Sequence, residues 1–412
     1  MAQPVSKSTP PGSSTGLRSV VVTHALRTPI GKYLGAFVDL SAADLGASDV
    51  TDLLARAGLD PERVDELIFG NGRQAGGGPN VARQISVRAG IPDRVAAWTM
   101  NMACGSGLKS VQLAAESIQL GRNDIVVAGG VESMSGLPFF LPKMRTGYRL
   151  GHGVAVDAMY QDGFECPLAN MLMGATAEKL AQELGISRDQ QDQFALASQQ
   201  KAAAAIEAGR FSDEISPVVV KTRKGEITVS ADEHVRPDTT IESLKKLPAV
   251  FMKDKGTVTA GNASGITDGA AALLVMAEDT ARELGLEPLA WIGASTQAGV
   301  DPTIMGIGPV PALEALRAKS GLSPADFDLI ELNEAFAAQV LACHKKLPLP
   351  MDRVNVNGGS IALGHPIGAT GARICATLLH EMKRRRVERG LATLCISGGM
   401  GIATAFHRTQ PN

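Results

Sequence analysis

Short apolar runs alternate with stretches of helical period, and this alternation passes twice through the chain. In the first pass, 20–22 reads as a strand, 42–57 as a helix, 65–69 as a strand and 124–128 as another, with a helix opening near Gly105 between the last two. In the second, 289–294 reads as a strand, 311–319 as a helix, 327–332 as a strand, 368–386 as a helix and 391–396 as a strand. Strands separated by helices predict an α/β fold with a mainly parallel sheet covered on both faces. Local echoes predict a duplication: Asp65-Glu66-Leu67-Ile68 with Asn71 resembles Asp328-Leu329-Ile330 with Asn333. The glycine pairs Gly129-Gly130 and Gly398-Gly399 read as a second echo, each following the last long strand of its half. The predicted organisation is a disordered tail over 1–16, an N-terminal half over 17–135 plus 256–287, an inserted domain over 136–255 and a C-terminal half over 288–412. The insertion carries a loop with Lys143, Arg145 and Arg149. Its long helix opens on a Ser187/Gln190 capping box and stops near Gly209.

Composition narrows the function classes. A length of 412 residues with 44% hydrophobic residues supports two or three cored domains. A formal net charge of −2 gives no reason to expect a nucleic-acid partner. The one basic run, Lys383-Arg384-Arg385-Arg386, reads as a solvated helix end. Five cysteines, an odd number without C-x-x-C spacing, argue against a disulfide framework or zinc site and for a reducing, cytoplasmic setting. No apolar stretch is long enough to span a membrane. The first sixteen residues lack an apolar signal core, and the last four carry no peroxisomal signal, so no targeting is expected.

Four segments could carry chemistry. In Asn101-Met102-Ala103-Cys104-Gly105-Ser106-Gly107, the cysteine lies between a strand candidate and a helix. It is either a small buried packing residue or a nucleophile whose thiolate the helix N-terminus favours, with a pKa below the usual value of about 8.5. Asn357-Gly358-Gly359-Ser360-Ile361-Ala362-Leu363-Gly364-His365-Pro366 holds a histidine in rigid backbone, a candidate base for a thiol. Cys395-Ile396-Ser397-Gly398-Gly399 ends a long strand and is expected to face the same crevice as Cys104. Asn333-Glu334-Ala335-Phe336 sits at a strand-to-helix junction, where the asparagine either caps the helix or orients a water. Cys343 and Cys375 lie in helical patterns and read as structural, whereas the role of Cys166 is open. Gly76-Gly77-Gly78 and Gly306-Ile307-Gly308 match no nucleotide-phosphate loop.

Together with Arg27-Thr28-Pro29-Ile30-Gly31-Lys32, Gly129-Gly130-Val131-Glu132-Ser133-Met134-Ser135 and Thr257-Val258-Thr259-Ala260-Gly261-Asn262-Ala263-Ser264-Gly265, these segments resemble the thiolase family over nearly the whole chain. The resemblance implies two βαβαβαββ halves in a five-layered α-β-α-β-α core with a loop domain above the active site. It implies acetyl-CoA C-acyltransferase chemistry: Claisen condensation or thiolysis of 3-ketoacyl-CoA, with acyl-CoA and CoA as substrates and no cofactor. Cys104 would be acylated, with His365 taking its proton. Cys395 would exchange the α-proton, and Asn333 would hold a water that shares one oxyanion site with His365. Backbone N–H groups of Cys104 and Ser397 would form the other. Arg236, Ala260 and Ser264 would meet CoA, while Met134, Met173, Met305 and Phe336 would line the acyl pocket. The Met305 and Phe336 motifs resemble the short-chain biosynthetic branch. The polar loop over 142–150 resembles the family's tetramerisation loop and implies a homotetramer. Two positions depart from the pattern. Leu172 stands where a histidine is usual, which relaxes the case for strict acetoacetyl specificity, and Ser397 stands where glycine is usual. Other thiolase-fold condensing enzymes such as ketoacyl synthases need no second cysteine, so Cys395 argues against them. A catalytically silent scaffold is the other alternative, and the intact set of Cys104, Asn333, His365 and Cys395 argues against it.

Overall fold

A computed structural model describes residues 17–410 of the chain, so the predicted tail over 1–16 lies outside the described residues. The main strands are β1 (Val20–Arg27), β2 (Glu66–Gly70), β3 (Ala96–Met100), β4 (Ile125–Glu132), β5 (Thr267–Ala277), β6 (Ala290–Gly299), β7 (Leu329–Leu332), β8 (Arg389–Ile396) and β9 (Met400–His407). The main helices are α1 (Ala42–Ala57), α2 (Val81–Arg88), α3 (Ser106–Gln119), α4 (Met173–Leu184), α5 (Arg188–Glu207), α6 (Pro309–Ser320), α7 (Ala337–Lys346) and α8 (Ile367–Arg385). Local sequence explains their limits. Ser41 and Asp44 form a capping box at the start of α1, and Gly58 closes it in the left-handed conformation. Ser187 and Gln190 do the same for α5, with Gly209 at φ +64° just past its end.

The strands run in the order β7-β8-β9-β6-β1-β5-β4-β2-β3. The two halves meet where Val21 and Val22 of β1 pair with Trp291 and Ala290 of β6. The sheet is mixed, which corrects the expected mainly parallel arrangement. Only β2–β3, β2–β4 and β7–β8 are parallel, whereas β5 and β9 run antiparallel to both of their neighbours. Both strands were missed because they are rich in alanine and glycine and fully or almost fully buried, so neither alternation nor β-branching marks them.

Buried side chains on opposite sheet faces define five layers. Leu108 and Val111 of α3 and Ile374 and Leu378 of α8 fill the centre, between Val126 and Leu273 on one side and Leu394 and Ile402 on the other. Leu45 and Leu53 of α1 with Ile85 of α2 cover the outside of the first half against Phe69 and Val127. Leu313 and Leu316 of α6 with Val340 of α7 cover the second against Leu391 and Ala405. Packing both faces of each half-sheet is what makes its strands continuously apolar.

The duplication is visible in backbone detail. The Asp65 carboxylate accepts from the N–H groups of Asp124 and Ile125, both at 2.8 Å. Asp328 accepts from those of Glu388 and Arg389 at 3.0 and 2.9 Å. An isolated parallel bridge between Ile330 and Val354 stands where β3 flanks β2 in the first half. The glycine pairs, however, are not equivalent. Gly129 and Gly130 lie inside β4, where a Cβ on Gly130 would stand 2.0 Å from the Gly368 carbonyl oxygen. Gly398 and Gly399, both at φ +87°, form the turn between β8 and β9. In the first pair Gly130 admits a helix, whereas the second pair turns a hairpin.

Candidate active site

Cys104 stands in a 3-10 turn, Ala103–Gly105, between β3 and α3. Ala103 adopts φ +45°, a conformation that costs an L residue about 1–2 kcal/mol. Side chains hold it there. Asn101 Oδ1 accepts from the Ala103 N–H at 2.9 Å; Ser106 Oγ accepts from the Met102 N–H at 2.8 Å and donates to the Ala103 carbonyl at 2.7 Å. The strained turn presents the half-buried sulfur at the strand end. Burial pushes the Cys104 thiol up, against the charge of Arg73 and the nearby N–H groups of Ser397 and Cys104. This corrects the expectation of a lowered thiol. The loss of water outweighs the favourable charge and N–H groups around the sulfur.

His365 Nε2 lies 3.4 Å from Cys104 Sγ. Its tautomer follows from its neighbours. Thr370 Oγ1 donates to the Pro366 carbonyl at 3.0 Å and must therefore accept from His365 Nδ1–H at 2.6 Å. Nε2 is left as an acceptor facing the thiol. Burial, helped by the charges of Arg373 and Arg73, lowers the imidazole to about 3, so it is neutral and can take a proton.

Cys395, at the end of β8, is fully buried and opens onto the same cavity as Cys104. Desolvation first, and the proximity of Cys104 next, push its thiol well above the ordinary range. Asn333 is not a helix cap, since α7 begins four residues later with Phe336 in the cap position. Arg373 Nη2 donates to Ser360 Oγ at 3.0 Å, so the serine proton goes to Asn333 Oδ1 at 2.6 Å. The Asn333 amide nitrogen then turns the other way, buried and without a partner, as a donor awaiting an oxygen.

Glu132 joins the pieces. Its carboxylate accepts from Asn71 Nδ2 at 2.6 Å, from the N–H groups of Gly72 and Arg73 at 3.1 and 3.0 Å, and from Gly368 N–H at 2.8 Å. It thereby ties the end of β2 to the first turn of α8, just after His365. Burial pushes this carboxyl up to about 7 against the pull of Arg73.

A cavity of about 530 Å³ opens above these groups. Met134, Met173, Met305, Phe336 and Leu172 line it together with Ser397. Arg236, Ala260 and Ser264 line it as well, and Arg236 and Ala260 are shared with an adjoining cleft that also holds Ser243 and Leu247. Of the candidate catalytic and substrate-binding residues, only Asn333 sits behind the wall rather than on it. Ser397 needs no left-handed backbone, because that conformation falls on Gly398 and Gly399, which is why serine fits where glycine is usual. Sequence reading missed Arg73, Tyr160, Phe164 and His234 on the cavity wall and the supporting Thr370 and Ser360. Thr370 and Ser360 lie five residues from His365 and could have been suspected; nothing local marked Arg73. Cys343 and Cys375 are buried inside α7 and α8, as expected, with Cys343 pushed up to about 12 by burial. Cys166 packs with Met173, Met305 and Cys395. Among the described residues no cluster of histidine, cysteine and acidic side chains could hold a metal ion.

Residues 20–279 match the family model of the thiolase N-terminal domain, and 286–408 that of the thiolase C-terminal domain. An acetyl-CoA acetyltransferase of Allochromatium vinosum is 52% identical over 391 residues, covering 95% of this chain and 99% of that one. The crystal structure of a Bacillus anthracis acetyl-CoA acetyltransferase superposes with a TM-score of 0.94 at 46% identity, covering 96% of this chain and all of the other. Human mitochondrial 3-ketoacyl-CoA thiolase in complex with CoA gives 0.91 at 43% identity over 95% and 98%. With a neutral histidine against a cysteine, a second cysteine beside them and half its residues shared with such enzymes, this chain belongs to the thiolase family.

Proposed function

We propose that this thiolase interconverts two acyl-CoA molecules with a 3-ketoacyl-CoA and free CoA through an acyl group on Cys104. The observation that carries the reading is the 3.4 Å approach of unprotonated His365 Nε2 to the Cys104 sulfur. In acylation the thiol proton passes to Nε2, the sulfur adds to the thioester carbonyl, and the tetrahedral intermediate expels CoA thiolate, which takes the proton back. N–H groups of Cys104 and Ser397 lie near enough to the sulfur to favour its thiolate and would receive the oxyanion there. The unpartnered Asn333 amide would hold a water that, with His365, receives the enolate oxygen. Cys395, kept protonated by burial, suits the cleavage direction, where it would protonate the departing acetyl-CoA carbanion. In condensation its thiolate would take that α-proton back from acetyl-CoA, by microscopic reversibility.

CoA would enter past Arg236, Ala260 and Ser264, where the cavity meets the adjoining cleft. The reading needs no cofactor. All five cysteines are free, which supports a reducing, cytoplasmic setting. Apolar side chains exposed at Phe139, Met144, Leu150 and Val154 support burial against other subunits, and we propose a homotetramer. No helix among the described residues is long and apolar enough to cross a membrane.

The division of labour is tested by trapping. Cys104→Ser should form no acyl-enzyme from labelled acetyl-CoA. Cys395→Ala should be labelled on Cys104 yet form no carbon–carbon bond. A folded Cys395→Ala protein that cannot be acylated would show that the two cysteines do not have separate roles.

A further inference from the structure

Resting on the reading of this cavity as the acyl site, we propose that Arg73 anchors a carboxylate at the far end of the acyl chain. The preferred substrates would then be 3-ketoacyl-CoA thioesters of dicarboxylic acids. Arg73 follows the end of β2, lines the cavity and is 6% exposed. Its donors are poorly used. Nη1 reaches the Gly72 carbonyl at 3.2 Å, and Nε is buried with no partner. Among the described residues Nη2 makes no hydrogen bond and no ion pair includes this arginine. Glu132 feels its charge but spends its own oxygens on four other N–H donors.

A guanidinium cannot shed its proton to escape burial, so its idle donors need an acceptor. Much of the cavity wall offers none. Met134, Leu172, Met173, Phe164 and Phe336 are apolar, and the ring of Tyr160 packs edge-on against Phe164 at 5.7 Å. The pocket also makes room for the charge. A Cβ at Gly163 would stand 2.4 Å from Arg73 Nε and 3.0 Å from Nη2, so the guanidinium packs closely against the backbone at this glycine. A plain alkyl chain would leave its idle N–H donors without an acceptor. A terminal carboxylate would accept two of its N–H groups and neutralise it.

The test compares thiolysis of six- and eight-carbon 3-keto dicarboxylyl-CoA substrates with thiolysis of 3-ketohexanoyl-CoA and 3-ketooctanoyl-CoA by the full-length enzyme. Wild type should favour the better carboxylated substrate at least about tenfold in kcat/KM, and Arg73→Leu should lower that ratio about thirtyfold, the scale of one charge-assisted contact in a dry site. Arg73→Lys should keep part of the preference. Should Arg73→Leu not fold, the wild-type ratio decides alone. A wild-type ratio near one, or an Arg73→Leu protein in which both substrate classes fall together, would overturn the proposal and assign the charge to Cys104 or to the fold. Acetoacetyl-CoA thiolysis by wild type separates the two readings. If it and thiolysis of the carboxylated substrates are both absent, the acyl-site assignment itself fails; if thiolysis is present without a carboxylate preference, only the role of Arg73 fails.

Discussion

Two hydroxyl groups set the protonation and orientation of the chemistry at Cys104. Thr370 fixes the His365 tautomer, and Ser360 fixes which way the Asn333 amide points. Replacing Ser360 with alanine leaves Asn333 Oδ1 without its donor and lets the amide flip. The expected result is a fall in kcat of about tenfold to a hundredfold with KM little changed, as for loss of one preorganised donor. Ser360→Thr should recover part of it, and a purely structural role would instead lower the melting temperature without this split. A second prediction concerns the resting thiol. Burial raises Cys104, and His365 at about 3 stays neutral at any assay pH. Alkylation of Cys104 by iodoacetamide should therefore climb about tenfold per pH unit from pH 6.5 to 8.5, following the thiolate fraction. A plateau starting below pH 8 would reveal a thiolate–imidazolium pair in the free enzyme and contradict these directions.

At the scale of elements, the site depends on how closely α3 and α8 approach. A Cβ on Gly107 would stand 2.6 Å from the Ala372 backbone nitrogen, and one on Gly371 would stand 2.2 Å from that of Leu108. The two helices touch backbone to backbone. The turn before α3 carries Cys104, and the loop before α8 carries His365, so this contact sets the distance between sulfur and imidazole. Gly371→Ala should push the helices apart. A destabilisation of about 1–3 kcal/mol is expected from overpacking. Acylation should slow more than the loss of folded protein explains, because the 3.4 Å approach lengthens. Stopped-flow acylation measured on protein shown to be folded by circular dichroism checks this. An unchanged acylation rate would mean that the turns adjust independently of the helices.

At the scale of the molecule, the segment over 139–160 places Leu150 at 99% exposure with Phe139, Met144 and Val154 close in sequence and also exposed. A tetramer that buries them should dissociate to dimers when Met144 and Leu150 are both replaced by aspartate, a change read by sedimentation velocity. Wild-type dimers at micromolar concentration would reject the tetramer. Much of the rest was legible beforehand. The cysteine and asparagine of the site sit in short motifs just after strands and the histidine in one just before a helix, and α1 was readable to its limits because Ser41, Asp44 and Gly58 cap it locally. The strands β5 and β9 were not, because alanine and glycine earn their place there by close packing with partners far along the chain. The direction of the Cys104 shift was misread for a related reason. The sequence by itself determined which groups could do acyl transfer and where the helices begin, since caps, turns and motif residues act over a few positions. Only the tertiary structure decided the antiparallel centre of each half, the rise of the Cys104 thiol and the idle guanidinium of Arg73. Burial, which sets all three, is a property of segments distant in sequence closing on one another.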